Sequence, residues 1–283
     1  MKKIILFDVD GTLVKAGGCG LKALNKAVLK MGGPDNICSK FELQGSTDRD
    51  NFNRAFFSAF GRKPKEKEFL KLKQSYLEIL PGEVNEAVKN KRYQNIKGVE
   101  KFLEYLSKEE NIVLVLATGN FEEGAYLKLA PSGISHYFSF GGFGGDYERR
   151  EDMIEAAVKE AKKFLKCEEK EFQVYVIGDT EKDVQAAKAH GYHSGIVLDG
   201  FGDPKKLRSN APELIADNFS DMVPWLMWLG LKKDPKGVSR GSYICPDTPI
   251  EHAYYGMTGM GSFLSRKDFK EMEKMIKKAK VKK

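Results

Sequence analysis

Lys3-Ile4-Ile5-Leu6-Phe7-Asp8-Val9-Asp10-Gly11-Thr12-Leu13 begins with an apolar run that stops at two carboxylates and a glycine. A short unbroken apolar run bounded by a turn signal predicts a strand buried on both faces. Lys3 to Val9 is therefore read as a buried strand, with Asp8 and Asp10 at its C-terminal tip. In open α/β sheets, ligands bind outside such tips.

Beyond this tip the pattern turns helical from Leu21 to about Tyr93. Leu21, Leu24, Val28 and Met31 share one face, and Phe52, Ala55, Phe56 and Ala59 repeat it after an acidic start at Asp48 and Asp50. No strand is expected inside this stretch. After Gly98, helix and strand alternate. A helix carries Val99, Phe102, Leu103 and Leu106, the strand Ile112 to Ala117 follows, and the next helix holds Tyr126, Leu127 and Leu129. A short strand is expected at Phe138 to Phe140, then a glycine loop from Gly141 to Gly145, a helix from about Glu151 to Phe164 and the strand Phe172 to Ile177. A helix around Asp183 to Ala189, the strand Gly195 to Leu198 and an edge strand at Leu214 to Ala216 complete the series.

This alternation predicts an α/β fold: a doubly wound parallel, Rossmann-like sheet core with an inserted all-helical domain. The expected division is a core of residues 1–16 and 94–230, an insertion of residues 17–93, and a C-terminal extension of residues 231–283. Within the extension, Lys232 to Gly261 reads as loop. Phe269, Met272, Met275, Ile276 and Ala279 then share one face of a basic amphipathic helix.

A chain of 283 residues can bury a substantial core. Its 41% hydrophobic and 31% charged residues are ordinary for a globular protein, which argues against disorder and against a fibre. No run approaches the ~20 apolar residues of a membrane span, and Asp8 and Asp10 interrupt any leader-like stretch. Cys19, Cys38, Cys167 and Cys245 form no Cys-x-x-Cys pair, so free thiols and a cytoplasmic protein are expected. The net charge of +7 raises nucleic acid as a partner. Nine basic residues against three acidic ones lie between Ser265 and Lys283, however, so the excess belongs to the tail and nucleic acid is not the expected partner.

Three strand tips carry the chemistry: Asp8 and Asp10 after the first, Thr118-Gly119-Asn120 after the second, and Gly178-Asp179-Thr180 with Asp183 after the strand at Phe172. In a parallel sheet these tips point to one edge. Two like charges about 4 Å apart repel by roughly 4 kcal/mol at an effective dielectric of 20, so four convergent carboxylates ask for a cation. All-oxygen ligation selects a hard ion, Mg²⁺ first. Phosphoryl transfer needs an in-line nucleophile, neutralised equatorial oxygens and a proton for the leaving group. One carboxylate cannot both attack and donate, whereas a second one two residues along can supply the proton.

The order Asp-Val-Asp-Gly-Thr, Thr-Gly-Asn and Gly-Asp-Thr-Glu-Lys-Asp resembles the signature motifs of haloacid dehalogenase superfamily phosphatases over about residues 3–230. The resemblance implies that Asp8 attacks phosphorus and becomes an aspartyl-phosphate. It implies that Asp10 protonates the leaving oxygen and later activates water. Asp8, the backbone carbonyl of Asp10 and Asp179 would hold Mg²⁺, with Asp183 ligating or orienting it. Thr118, with Gly119, Asn120 and Thr12, would bind the phosphoryl oxygens. Halide-displacing members lack the second Asp, so Asp10 points to phosphate esters.

Residues 17–93 resemble the mobile helical cap of the branch that contains phosphoglycolate phosphatases and β-phosphoglucomutases. Arg49, in Gly45-Ser46-Thr47-Asp48-Arg49, is then a candidate for holding a substrate carboxylate or hydroxyl. The family also sets a lysine against the phosphate and the nucleophile. No Lys-Pro follows the Gly141 to Gly145 loop, so Lys128 is the candidate and Arg149 and Arg150 are its rivals. The expected activity is hydrolysis of a small phosphorylated metabolite by a monomer or homodimer. A sugar-phosphate mutase and a non-catalytic phosphate-binding or partner-binding protein are the alternatives.

Overall fold

Six parallel strands form the central sheet of the structure, a computed structural model that describes residues 1–40, 43–165 and 172–231. The expected loop and basic helix of the C-terminal extension lie outside the described residues. The strands are β1 (Lys2–Phe7), β4 (Ile112–Thr118), β5 (Gly141–Phe143), β6 (Phe172–Gly178), β7 (His193–Val197) and β8 (Leu214–Ala216). Their order is β5-β4-β1-β6-β7-β8. The chain winds outward from β1 through β4 to β5, then returns to the other side of β1 for β6 and winds outward again. The order reverses beside β1, which puts Asp8 and Asp10 at the switch point where such sheets bind ligands.

Successive strand residues face opposite sides of a sheet. Ile5, Phe7, Leu114, Leu116, Tyr175 and Ile177 accordingly pack against α4 (Val99–Ser107), α5 (Glu122–Leu129) and α9 (Val223–Trp228). Ile4, Leu6, Val115, Ala117, Val174 and Val176 pack on the other face against α6 (Arg150–Leu165) and α7 (Glu181–Ala189). Both faces are covered, which is why these strands read as continuous apolar runs rather than as an alternation. Among the described residues, no helix is long and apolar enough to cross a membrane.

Three helices, α1 (Cys19–Lys30), α2 (Asp48–Phe60) and α3 (Glu66–Lys89), build a second core from Leu24, Val28, Phe52, Phe56, Leu72 and Tyr76. Phe121, from the loop after β4, enters this cluster, and its ring centroid lies 4.8 Å from that of Phe52. Two short strands escaped the sequence pattern. β2 (Val14–Ala16) and β3 (Tyr93–Asn95) pair antiparallel where the chain leaves for the helices and where it returns. Three residues each are too few for a period to emerge.

The strand expected at Phe138 to Phe140 is displaced. Ser135–Tyr137 forms a 3-10 turn, and the edge strand is Gly141–Phe143, inside the stretch whose glycines predict a loop. Phe138 is instead a core residue, its ring edge-on to Phe7 with centroids 5.8 Å apart. The glycines make the strand because of close approach: a Cβ on Gly141 would lie 2.6 Å from the Leu116 carbonyl oxygen. Edge strands with glycine commonly mark such contacts between backbones.

Phe102 ties α4 to the sheet, edge-on to Phe7 and stacked on Phe219 with centroids 4.9 Å apart. Phe102→Ala is expected to lower unfolding free energy by about 3 to 5 kcal/mol. Chemical denaturation followed by the tryptophan fluorescence of the full chain measures it, and a loss under about 1 kcal/mol would contradict this account of the core.

Candidate active site

β1 ends at Phe7, Asp8 and Asp10 follow at the sheet edge, and Gly11 completes the turn at φ 84. Glycine is required there twice over: the left-handed backbone favours it, and any side chain would collide with the carboxylate of Asp179. Asp179 and Asp183 arrive from the tip of β6. Thr180 caps α7, and Asp183 Oδ2 accepts hydrogen bonds from the Asp179 and Thr180 N–H groups at 3.3 and 3.0 Å and from the Thr180 hydroxyl at 2.8 Å. One oxygen of Asp183 thus locks the loop, and the other faces the site.

Asp8, Asp179 and Asp183 offer oxygen atoms that all lie within 4.8 Å of one another. Burial pushes the Asp8 carboxyl up to about 6, with Arg150 opposing and Asp183 and Asp10 reinforcing. Burial also raises Asp179 well above the carboxylate range, helped by Asp183 and Asp8. Asp179 Oδ2 accepts from the Phe201 N–H at 2.6 Å, while Asp179 Oδ1 is buried without a hydrogen-bond partner. A buried orphan acceptor beside two further carboxylates is a donor set that fits a hard divalent cation.

The cations separate onto different acids. Arg150, the first residue of α6, is buried, with Nη2 3.1 Å from Asp8 Oδ2 and 2.6 Å from Asp183 Oδ1. Arg149 points away and pairs with Glu151 at 3.5 Å, its side chain 70% exposed. Lys128 Nζ lies 2.5 Å from Asp10 Oδ2 and 2.6 Å from Asn120 Oδ1. Burial works against its charge, yet Asp10 and the acidic groups of Tyr76, Cys19 and Asp48 hold its pKa well above the ordinary value.

Asn120 Nδ2 donates to Asp10 at 2.9 Å and to the Thr118 hydroxyl at 2.7 Å, and Thr118 in turn hydrogen-bonds Asp8. A continuous network therefore runs from Asp8 through Thr118 and Asn120 to Asp10 and Lys128. Gly119 serves a different end. Its carbonyl accepts the Asp48 N–H at 2.6 Å, and a Cβ there would strike the Ser46 carbonyl, so the missing side chain lets the start of α2 touch the sheet edge. Thr12 is fully buried, its hydroxyl unpaired, and does not line the cavity.

Arg49 was a substrate-binding candidate, and the structure does not bring it to the cavity. Its N–H bonds the Gly144 carbonyl at 3.0 Å, Nη1 donates to the Gly145 carbonyl at 3.3 Å, and the guanidinium lies over the Phe69 ring. The neighbouring Asp48 enters instead, Oδ2 accepting the Phe121 N–H at 2.8 Å. Burial pushes its carboxyl up to about 6. The sequence signal at Asp48 was indistinguishable from an ordinary acidic first turn of a helix.

A cavity of about 260 Å³ connects these groups, and Asp8, Asp10, Asp48, Lys128, Arg150 and Asp179 all line it. Carboxylates at the switch point of a doubly wound sheet, with an acid pair two residues apart, define an α/β protein whose site can carry acid, base and nucleophile chemistry. Residues 5–197 match the haloacid dehalogenase-like hydrolase family, and the chain belongs to it as a phosphatase-type enzyme. A phosphoglycolate phosphatase of Aquifex aeolicus (strain VF5) is 27% identical over 230 residues, 78% of this chain and 95% of that protein.

Among solved structures, a predicted phosphoglycolate phosphatase from Haemophilus somnus 129pt superposes with a TM-score of 0.57 at 22% identity, covering 78% of this chain and 96% of that one. CbbY from Rhodobacter sphaeroides, in complex with phosphate, gives 0.58 at 16% identity, over 79% and 97%. These two likenesses concern the fold.

The raised carboxyls give a sign to the metal response. A group whose pKa rises on folding stabilises most below its unfolded value, near 4 for Asp, and that contribution is lost as pH climbs through about 6. A divalent cation held by these carboxylates would take over where the protons leave. Mg²⁺ at a hundredfold excess over its Kd is expected to stabilise the protein by about 2.7 kcal/mol at pH 7.5, and progressively less below pH ~6. Thermal melts across pH with and without Mg²⁺ measure this. A shift that grows on acidification would contradict it.

Proposed function

We propose that the protein is a Mg²⁺-dependent phosphomonoesterase that hydrolyses a small phosphorylated metabolite by way of a phosphoryl group carried on Asp8. The observation that carries this reading is the approach of Asp8, Asp179 and Asp183 to within 4.8 Å, with Asp10 hydrogen-bonded beside them. Asp8, Asp179, Asp183 and the backbone carbonyl of Asp10 would hold Mg²⁺. When bound, the ion supplies positive charge against the phosphoryl oxygens and the nucleophile.

The chain's own residues do the rest. Asp8 attacks phosphorus, with Thr118 fixing its carboxylate and Arg150 offsetting charge on the nucleophile and the incoming group. In this reading Arg150 fills the role first sought for Lys128. Asp10, aligned by Asn120 and Lys128, gives its proton to the leaving oxygen and then takes one from the water that cleaves the aspartyl-phosphate. Helices α1 to α3 act as a cap that encloses the substrate, a reading supported by their separate core and by Phe121 reaching into it.

The substrate fits a small cavity, and the named relatives make phosphoglycolate the first candidate and a sugar phosphate the second. The buried free thiols Cys19 and Cys38 accord with a cytoplasmic enzyme.

A panel of phosphomonoesters with Mg²⁺ tests the reading through release of inorganic phosphate. Asp10→Asn is expected to lower kcat roughly 10²- to 10⁴-fold, and Asp8→Asn to abolish turnover. Phosphate release that survives Asp8→Asn would overturn the mechanism. A sugar phosphate isomerised without release of phosphate would make the protein a mutase.

A further inference from the structure

The helical segment meets the loops of the sheet through residues 43–49, and Leu43, Gln44, Gly45, Ser46 and Asp48 of this stretch form a wall of the cavity. Backbone bonds fasten it at two points: the Asp48 N–H donates to the Gly119 carbonyl at 2.6 Å, and the Arg49 N–H to the Gly144 carbonyl at 3.0 Å. A third attachment comes from a charged side chain. Lys182, in the first turn of α7, donates through Nζ to the Gln44 carbonyl at 2.9 Å and to the Ser46 hydroxyl at 2.7 Å. Hydrogen bonds from an ionised donor are about twice as strong as neutral ones.

The two residues that Lys182 grips flank Gly45, and Gly45 lies against both groups that hold Asp183. Its backbone is left-handed at φ 66, and a Cβ there would lie 2.7 Å from the Thr180 hydroxyl. That hydroxyl donates to Asp183 Oδ2 at 2.8 Å. The Gly45 carbonyl accepts from Arg150 Nη1 at 3.3 Å, and Nη2 of the same guanidinium lies 2.6 Å from Asp183 Oδ1. Both oxygens of Asp183 are thus held by groups that the same glycine touches. Lys182 is not itself among the residues that line the cavity, so it acts through these neighbours.

We infer that Lys182 is a positioning residue: by gripping Gln44 and Ser46 it seats Gly45 on Thr180 and Arg150, so that closing this wall of the cavity and setting Asp183 for a cation are one event. The link to the cation rests on the phosphatase reading, whereas the grip on the wall does not. Adjacent residues of a helix point about 100° apart, which lets Lys182 face the wall while Asp183 faces the site. Coupling of this kind is reciprocal. A divalent cation that fixes Asp183 steadies the wall by the same factor by which the closed wall strengthens the hold on the cation.

Hydrogen exchange of the full chain, read on the peptide spanning residues 43–52 with and without Mg²⁺, tests this in wild type, Lys182→Met and Lys182→Arg. Lys182→Met keeps the length of the side chain and removes its donors. It is expected to speed exchange of that peptide roughly tenfold and to weaken Mg²⁺ binding, read by thermal shift, several-fold. Lys182→Arg, which can donate to the same oxygens, is expected to restore most of both, and peptides of α4 are expected to exchange alike in all three proteins. In turnover the loss is expected in KM more than in kcat, because fewer molecules hold the wall closed before substrate binds. Exchange in Lys182→Met as slow as in wild type overturns the proposal, and so does a faster exchange shared by α4, the mark of general destabilisation. Faster exchange with unchanged Mg²⁺ affinity overturns the link to Asp183. Wild type that releases phosphate from no ester overturns the phosphatase reading, while the exchange result still decides the grip on the wall.

Discussion

Mutual repulsion among carboxylates is the constraint around which the rest of this protein is organised. Asp8, Asp179 and Asp183 are drawn from strand tips some 170 residues apart in sequence, and each is buried. Nothing in their own chemistry favours that meeting, since burial and proximity both raise the cost of their charge. The sheet enforces it: β1 and β6 run side by side in register from Lys2 with Phe172 to Phe7 with Ile177. Asp183 is fixed by capping its own helix, and Arg150 bridges Asp8 and Asp183. Such an arrangement stores unfavourable electrostatics at a place where a cation can relieve it.

Two positive side chains serve three acids, and the division follows from where they lie on their helices. Arg150 opens α6 on one face of the sheet and reaches the nucleophile, whereas Lys128 lies in the last turn of α5 and reaches Asp10. Asn120 links the two halves, because its amide can donate to Asp10 and accept from Lys128 at once. Lys128 also adjoins α1, so the reacting end and the helical segment share a single ammonium.

Much of this was written plainly in the sequence. The apolar strands, their order along the chain and the acids at their tips follow from run length and punctuation, and the three motifs converge as a parallel sheet requires. Other features were hidden for identifiable reasons. Arg149 and Arg150 are adjacent identical residues, and only the rotation of α6 decides which one is buried. Gly141 and Gly142 look like loop by propensity, yet a Cβ on Gly141 would strike Leu116 of β4 and one on Gly142 would strike Met153 and Ala157 of α6. Arg49 has the charge expected of a substrate clamp, but backbone bonds from Asp48 and Arg49 to Gly119 and Gly144 turn Asp48 inward instead.

The pairing of β2 with β3 bears on how such a chain came to be assembled. Ala16 and Tyr93 sit opposite each other in an antiparallel ribbon, so the whole stretch between them begins and ends at nearly one point. To the sheet, those 76 intervening residues occupy the place of a hairpin tip. Lengthening, shortening or exchanging that tip leaves the spacing of β1 and β4 untouched. The helical segment is thus joined to the sheet through two anchored ends that meet side by side.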